Sequence, residues 1–184
     1  MSHRSRPLVL MTILFAACAG PRFETNGVRS WHGVKTERQL QMVIVLSSLC
    51  AEARKPAFRN AVRRLAAGVE RRARLEGLRF VTIGVSLDVS LDDGLKALAG
   101  LVPFNELSVG NSWLNGAAQT FVWSTVPGLP AIPQVVVVER HISVRENGLA
   151  FGGYSLRGRM VGTDEIKDGL RLLGLPVDSA RSRY

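Results

Sequence analysis

Gln41-Met42-Val43-Ile44-Val45-Leu46-Ser47 holds an unbroken apolar, β-branched core. Such a run, with no polar alternation, predicts a strand buried on both faces. Both faces of a sheet are buried only when helices cover both sides, so the next question is what flanks this run. Downstream, Phe58, Val62, Leu65 and Val69 step by four, three and four with arginines opposite, which predicts an amphipathic helix over 51–75 ending near Gly77. Pro56 is tolerated in its first turns or kinks it. Arg79 to Val85 (RFVTIGV) predicts a second buried strand.

Further along, Ser90 reads as the cap of a short helix with Asp92 and Asp93 in its first turn. Asn111 to Trp123 predicts another helix, with Trp113, Ala117 and Phe121 on one face. The Pro- and Gly-rich stretch Val126 to Pro133 is a rigid loop leading into Gln134 to Glu139 (QVVVVE), a third buried strand. Arg140-His141 reads as a turn, Ile142 to Arg145 as a further strand, and Asn147-Gly148 as a hairpin signal. Thr163 caps a last helix whose buried stripe is Ile166, Leu170 and Leu173. Strands alternating with helices, then a paired strand and a closing helix, predict an α/β sandwich with a mixed β-sheet.

At 184 residues the chain has room for one domain with short attachments. Hydrophobic residues at 46% and charged residues at 21% supply a real core and exclude a disordered chain. The formal net charge of +9 raises nucleic acid as a partner. Against it, Arg59, Arg63, Arg64, Arg71, Arg72 and Arg74 fall on the polar side of the 51–75 helix and no aromatic residues interleave with them. A solvated basic face, suited to anionic lipid headgroups, is the better reading.

The amino terminus carries His3, Arg4 and Arg6, then a nearly unbroken apolar stretch from Leu8 to Ala17, too short to span a bilayer. This is the pattern of a bacterial-type secretory signal over 1–17. A Gly-, Pro-, Asn- and Ser-rich tether over 18–30 leads to a domain over 31–175 and a tail over 176–184. The chain has two cysteines, Cys18 and Cys50. If export removes or modifies Cys18, Cys50 is left without an internal disulfide partner in an oxidising compartment.

Two resemblances attach to these residues. Leu14-Phe15-Ala16-Ala17-Cys18 resembles the lipobox of bacterial lipoproteins, with Phe15 where leucine is usual; this implies lipidation of Cys18 and a membrane anchor. Ala17-Cys18-Ala19 also fits ordinary signal cleavage. The order of elements from Trp31 to Leu173 resembles the thioredoxin-like superfamily, in particular the TlpA-like proteins of bacterial envelopes. Val45 to Cys50 is similar to that family's strand running into its Trp-Cys motif, with Leu49 for the tryptophan. Leu129 to Gln134 is similar to the segment holding the family's cis-proline. The resemblance implies a three-layer sandwich, Cys50 as nucleophile, and Ile132 and Pro133 as the substrate groove.

The motif has one sulfur. With Cys50 first, the second cysteine position is Ala53; with Cys50 second, the first is Ser47. Cys50 at a helix N-terminus, near Arg54 and Lys55, would favour the thiolate, with Glu52 opposing. The alternative is a small buried hydrophobe. Peroxiredoxins, also thioredoxin-like, place Ser or Thr three residues before their cysteine, as Ser47 stands here, but their proline four residues earlier is Val43. His32 and His141 are too few and too separated for a metal site. No phosphate loop is present, so no cofactor is implied. The partners implied are envelope proteins bearing thiols or disulfides. The function is then that of an envelope-tethered protein acting through one cysteine, or of a thioredoxin-fold interaction module without chemistry.

Overall fold

A computed structural model describes residues 36–145 and 148–175. The signal at 1–17, the tether at 18–30 with Cys18, the first residues of the domain and the tail at 176–184 lie outside the described residues. β1 (Glu37–Leu46), β2 (Arg79–Ser86) and β3 (Glu106–Ser108) are joined by α1 (Pro56–Leu75) and α2 (Leu91–Leu98). β4 (Gln134–Arg145), β5 (Gly148–Val161) and α4 (Gly162–Leu172) complete the chain. The five strands are ordered β3-β2-β1-β4-β5. The first three run parallel, β4 is antiparallel to β1, and β5 is antiparallel to β4.

β1 is central, and its alternating side chains feed two cores. Leu40, Met42, Ile44 and Leu46 pack with Phe58, Val62, Leu65 and Val69 of α1 and Ile166 of α4. Val43 and Val45 face the other way and pack with Val81, Ile83, Val85, Phe121, Val136 and Val138. A strand in this position has no solvent face, which is why its sequence lacks alternation. Burying each large apolar side chain contributes about 1.5–3 kcal/mol.

Four elements differ from the sequence reading. α1 starts at Pro56, not Ala51, because the residue before a proline is pushed out of the helical region; Lys55 is extended, with φ −69° and ψ 139°. The segment 111–123 is not one helix but a 3-10 turn (Ser112–Leu114), a single α turn, α3 (Gly116–Ala118), and a π turn (Gln119–Trp123). Asn115 breaks it: its backbone leaves the helical region and its side chain accepts from the Ala117 and Ala118 N–H groups. Arg140-His141 is no turn, since both residues stay paired with β1, and a bulge in the pairing with β5 falls between Arg140 and Ile142. There the Arg140 guanidinium lies between the Phe151 and Tyr154 rings, 4.4 and 4.6 Å from their centroids. Finally, Val161 rather than Thr163 occupies the cap position of α4, and its N–H is held by Glu165. Ser90 does cap α2, accepting from the Asp93 N–H.

The strand directions bring the segments after β1, β2 and β3, the loop before β4 and the start of α4 to one end of the sheet. Cys50 is at that end.

Candidate functional site

Cys50 lies in a loop of turns between β1 and α1 rather than on the helix itself, so α1's first backbone N–H groups do not cradle it. Its N–H donates to the Ser47 carbonyl at 3.0 Å. The sulfur is half-buried and 3.8 Å from the Ile132 carbonyl oxygen. The Ile132–Pro133 peptide bond is cis. The structure therefore brings Cys50, Ile132 and Pro133 together. Ser47 and Ala53 are both buried, Ala53 in the core beneath α1 that Cys50 also packs against.

Ser47 is committed elsewhere. Its hydroxyl donates to Asp88 at 2.9 Å and accepts from the Leu49 N–H. Asp88 also accepts from the Ser48 N–H at 2.9 Å, the Ser48 hydroxyl at 2.7 Å and the Ser86 hydroxyl at 2.5 Å. Burial pushes the Asp88 carboxyl up, but the hydrogen bonds from Ser86, Ser48 and Ser47 outweigh it and hold the group below its usual value. A buried carboxylate thus fixes the turn that carries the cysteine.

Glu52, two residues past the cysteine, accepts from the Thr163 N–H at 2.5 Å in the first turn of α4. That bond, first among several causes, holds the Glu52 carboxyl below its usual value. The Gly162 N–H donates to the Pro133 carbonyl at 2.8 Å. The start of α4 therefore ties the cysteine loop to the proline loop, with Gly162 at φ +77°, a conformation that favours glycine.

The proline loop has its own polar framework. Buried Gln134 donates from its amide to the Ala131 and Leu129 carbonyls, at 2.7 and 3.3 Å. Its oxygen accepts from Arg159, whose guanidinium also donates to the Phe121 and Val126 carbonyls at 2.8 and 2.7 Å. Burial lowers the Arg159 pKa from the ordinary guanidinium value. Gly128 is needed beside it, because a Cβ there would run into the guanidinium.

The strand order, with a cysteine loop and a cis-proline loop meeting at one sheet end, is the arrangement the resemblance implies. The fold is thioredoxin-like. No family model and no curated protein matches the chain. Two solved structures are similar to it. A thiol-disulfide oxidoreductase from Bacteroides fragilis NCTC 9343 is 12% identical with a TM-score of 0.44, covering 73% of this chain and 81% of its own. A protein assigned as the thiol:disulfide interchange protein DsbE, from Chlorobium tepidum, is 17% identical with a TM-score of 0.37, covering 74% and 81%.

Sequence reasoning missed Asp88, Gln134 and Arg159 and saw in Glu52 only an opposing charge; the partners of these residues lie from 2 to 111 positions away. Arg59 and Arg63 stay at the surface, as the solvated face requires, and also donate to the Ala99, Gly100 and Leu101 carbonyls past the end of α2. The described residues hold no cluster of three or more His, Cys, Asp or Glu side chains suited to a metal, and no helix long and apolar enough to cross a membrane.

Proposed function

We propose that this chain engages thiols or disulfides of other polypeptides through Cys50, which takes the first position of a motif whose second cysteine is replaced by Ala53. The observation that supports this is the placement of the sulfur beside the Ile132 carbonyl and the cis-proline, at the open end of the sheet. Ala53 belongs to the core cluster that Cys50 packs against, and the Ser47 hydroxyl is held by Asp88.

The chemistry is one exchange step. The Cys50 thiolate attacks one sulfur of a partner's disulfide, a new S–S bond forms, and the partner's other sulfur leaves as a thiolate that takes up a proton. Completion needs an external thiol to attack the mixed disulfide, returning Cys50 as thiolate. Lipidation of Cys18 would hold the protein at a bacterial envelope membrane, and an intact mass carrying a diacylglyceryl group on Cys18 tests that part.

The thiol is tested directly. Folded wild-type protein should take up a small alkylating reagent at Cys50 and trap disulfide partners as persistent adducts that Cys50→Ser abolishes. Wild type should reduce insulin poorly, and Ala53→Cys should raise its turnover. Alkylation only after denaturation overturns the proposal in favour of an interaction module without chemistry. A gain from Ser47→Cys but none from Ala53→Cys would move Cys50 to the second position.

A further inference from the structure

The two layers that sandwich the sheet differ in charge. From Arg54 to Arg74, on and just before α1, stand eight cations against Glu70 alone. From Leu107 to Val138, the stretch that carries Trp113 and Trp123 over the opposite face and enters β4, no Asp, Glu, Lys, Arg or His occurs, although Arg159 of β5 reaches its Phe121 and Val126 carbonyls. The basic layer holds a cleft of about 880 Å³ between α1 and the loop from Gly100 to Asn105. Ligand pockets fall in the range of about 300–1,000 Å³. β3 is three residues long and pairs only with Ile83 to Val85, so among the described residues Arg79 to Val81 have no strand on that side. The cleft opens there, at the start of β2, whereas Cys50 follows the far end of β1, which runs parallel to β2.

Arg63, Ala66, Ala67, Glu70 and Arg74 line the cleft at helical spacing. It therefore follows α1 from position 63 to 74, about 16 Å at a rise of about 1.5 Å per residue. Its middle is apolar, with Phe80, Leu101 and Val102 beside the two alanines. The side-chain oxygens around it are already served. Glu70 accepts from Arg74 at 2.9 Å, and the Asn105 oxygen accepts from the Thr82 N–H at 2.8 Å. The Thr82 hydroxyl donates to the Pro103 carbonyl at 2.6 Å. Arg63 is spent on the loop itself, donating to the Gly100 and Leu101 carbonyls at 2.7 and 3.1 Å. Donors, by contrast, are left over. The Asn105 amide nitrogen has no acceptor among the described residues, and Arg74 engages only its Nη1, which leaves Nε and Nη2.

We infer that this cleft binds an aliphatic carboxylate, with its head on Arg74 and Asn105 and its chain over Phe80, Leu101 and the paired alanines. The surplus of donors selects the head. A carboxylate accepts charge-assisted hydrogen bonds from the guanidinium. A neutral chain would fill the apolar middle and leave those donors to water, and a cationic head would be repelled by Arg63 and Arg74, which Glu70 alone offsets. The apolar middle selects the chain, since each buried methylene contributes to binding and a compact anion would leave the middle empty. An extended peptide fits less well. Its backbone brings an N–H donor with nearly every carbonyl, and the side-chain acceptors of the cleft are taken. The site is separate from Cys50 and does not depend on the reading of that thiol.

The test is calorimetric titration of the full chain with decanoate, decanol and decyltrimethylammonium. Decanoate should bind at least about tenfold more tightly than either of the others. Arg74→Met and Asn105→Asp should each remove most of that preference; the aspartate keeps the oxygen that serves Thr82 and removes the amide donors. Ala67→Trp, at an exposed position of α1, should fill the cleft and block decanoate and decanol together, with urea unfolding as the check that the fold is kept. Arg64→Gln, on the same helix but outside the cleft, should leave all three affinities unchanged, which separates a built site from the general attraction of anions to a basic layer. Decanoate binding no more tightly than decyltrimethylammonium, or an affinity that Ala67→Trp leaves unchanged, overturns the inference. So does a preference that survives both Arg74→Met and Asn105→Asp. A short capped apolar peptide that displaces decanoate and binds more tightly would overturn it as well, giving the cleft to a polypeptide.

Discussion

Two loops meet at the sulfur, and they are held by opposite means. The cysteine loop presents donors, the Ser47 and Ser48 hydroxyls and the Ser48 N–H, and a carboxylate, Asp88, collects them. The proline loop and its neighbours present carbonyls, those of Ala131, Leu129, Phe121 and Val126, and Gln134 and the guanidinium of Arg159 collect those. Irregular backbone cannot satisfy its own polar groups, so each loop is matched to a side chain of the complementary kind. The sign of the anchor follows from which half of the peptide group faces inward.

Breaking the cationic anchor should cost most. Arg159→Met keeps the aliphatic bulk but strands the Phe121 and Val126 carbonyls and the Gln134 oxygen, and should destabilise the fold by about 3 kcal/mol in urea unfolding. Gly128→Ala should lower stability in the same direction by displacing the guanidinium. A loss below about 0.5 kcal/mol in both variants would mean that water replaces the arginine and that the loops are not matched as described.

The anionic anchor comes next and has a pH signature. Asp88→Asn should cost about 2 kcal/mol at pH 7, since an amide cannot accept from all the donors the carboxylate serves. Because the native carboxyl sits below its ordinary value, its contribution is complete above about pH 4 and is lost as pH falls through the native value. The gap between wild type and Asp88→Asn should therefore close in acid. A gap that stays constant with pH would show that shape, not charge, holds the turn.

Glu52→Gln should have the smallest effect, about 0.5–1 kcal/mol, because the amide oxygen still accepts from the Thr163 N–H and only the charge at the start of α4 is lost. The Glu52 carboxyl is also held low, so this difference too should shrink below about pH 4. A loss as large as that for Arg159→Met would make the start of α4, rather than either loop, the main support of the site.

What the sequence made legible were the parts determined by near neighbours. β1 and β2 showed as unbroken apolar runs because both their faces are buried, and α1 showed through Phe58, Val62, Leu65 and Val69 at helical spacing. The Ser90 cap lies within three residues of its partner. The start of α1 was misread because the apolar stripe was extended past Pro56, whose effect on Lys55 sets the boundary. The segment 111–123 keeps a helix-like apolar spacing while its hydrogen bonds change from 3-10 to α to π, which composition does not encode. Asp88 looks like Asp92 and Asp93 in the sequence, and only the fold separates the buried carboxylate from the exposed ones.

The unequal charge of the two layers also gives the domain an electrical polarity across its thickness. In an external field from a polyanion or an acidic neighbour, the molecule experiences a torque that turns the α1 side toward the source and the tryptophan side away. Cys50 packs against the α1-side core, with Arg54 and Lys55 four and five residues beyond it, so acidic partners would be drawn toward the thiol's side. Added salt relaxes that orientation, with a Debye length of about 10 Å at 0.1 M, so for such partners contact with Cys50 would become less frequent as ionic strength rises.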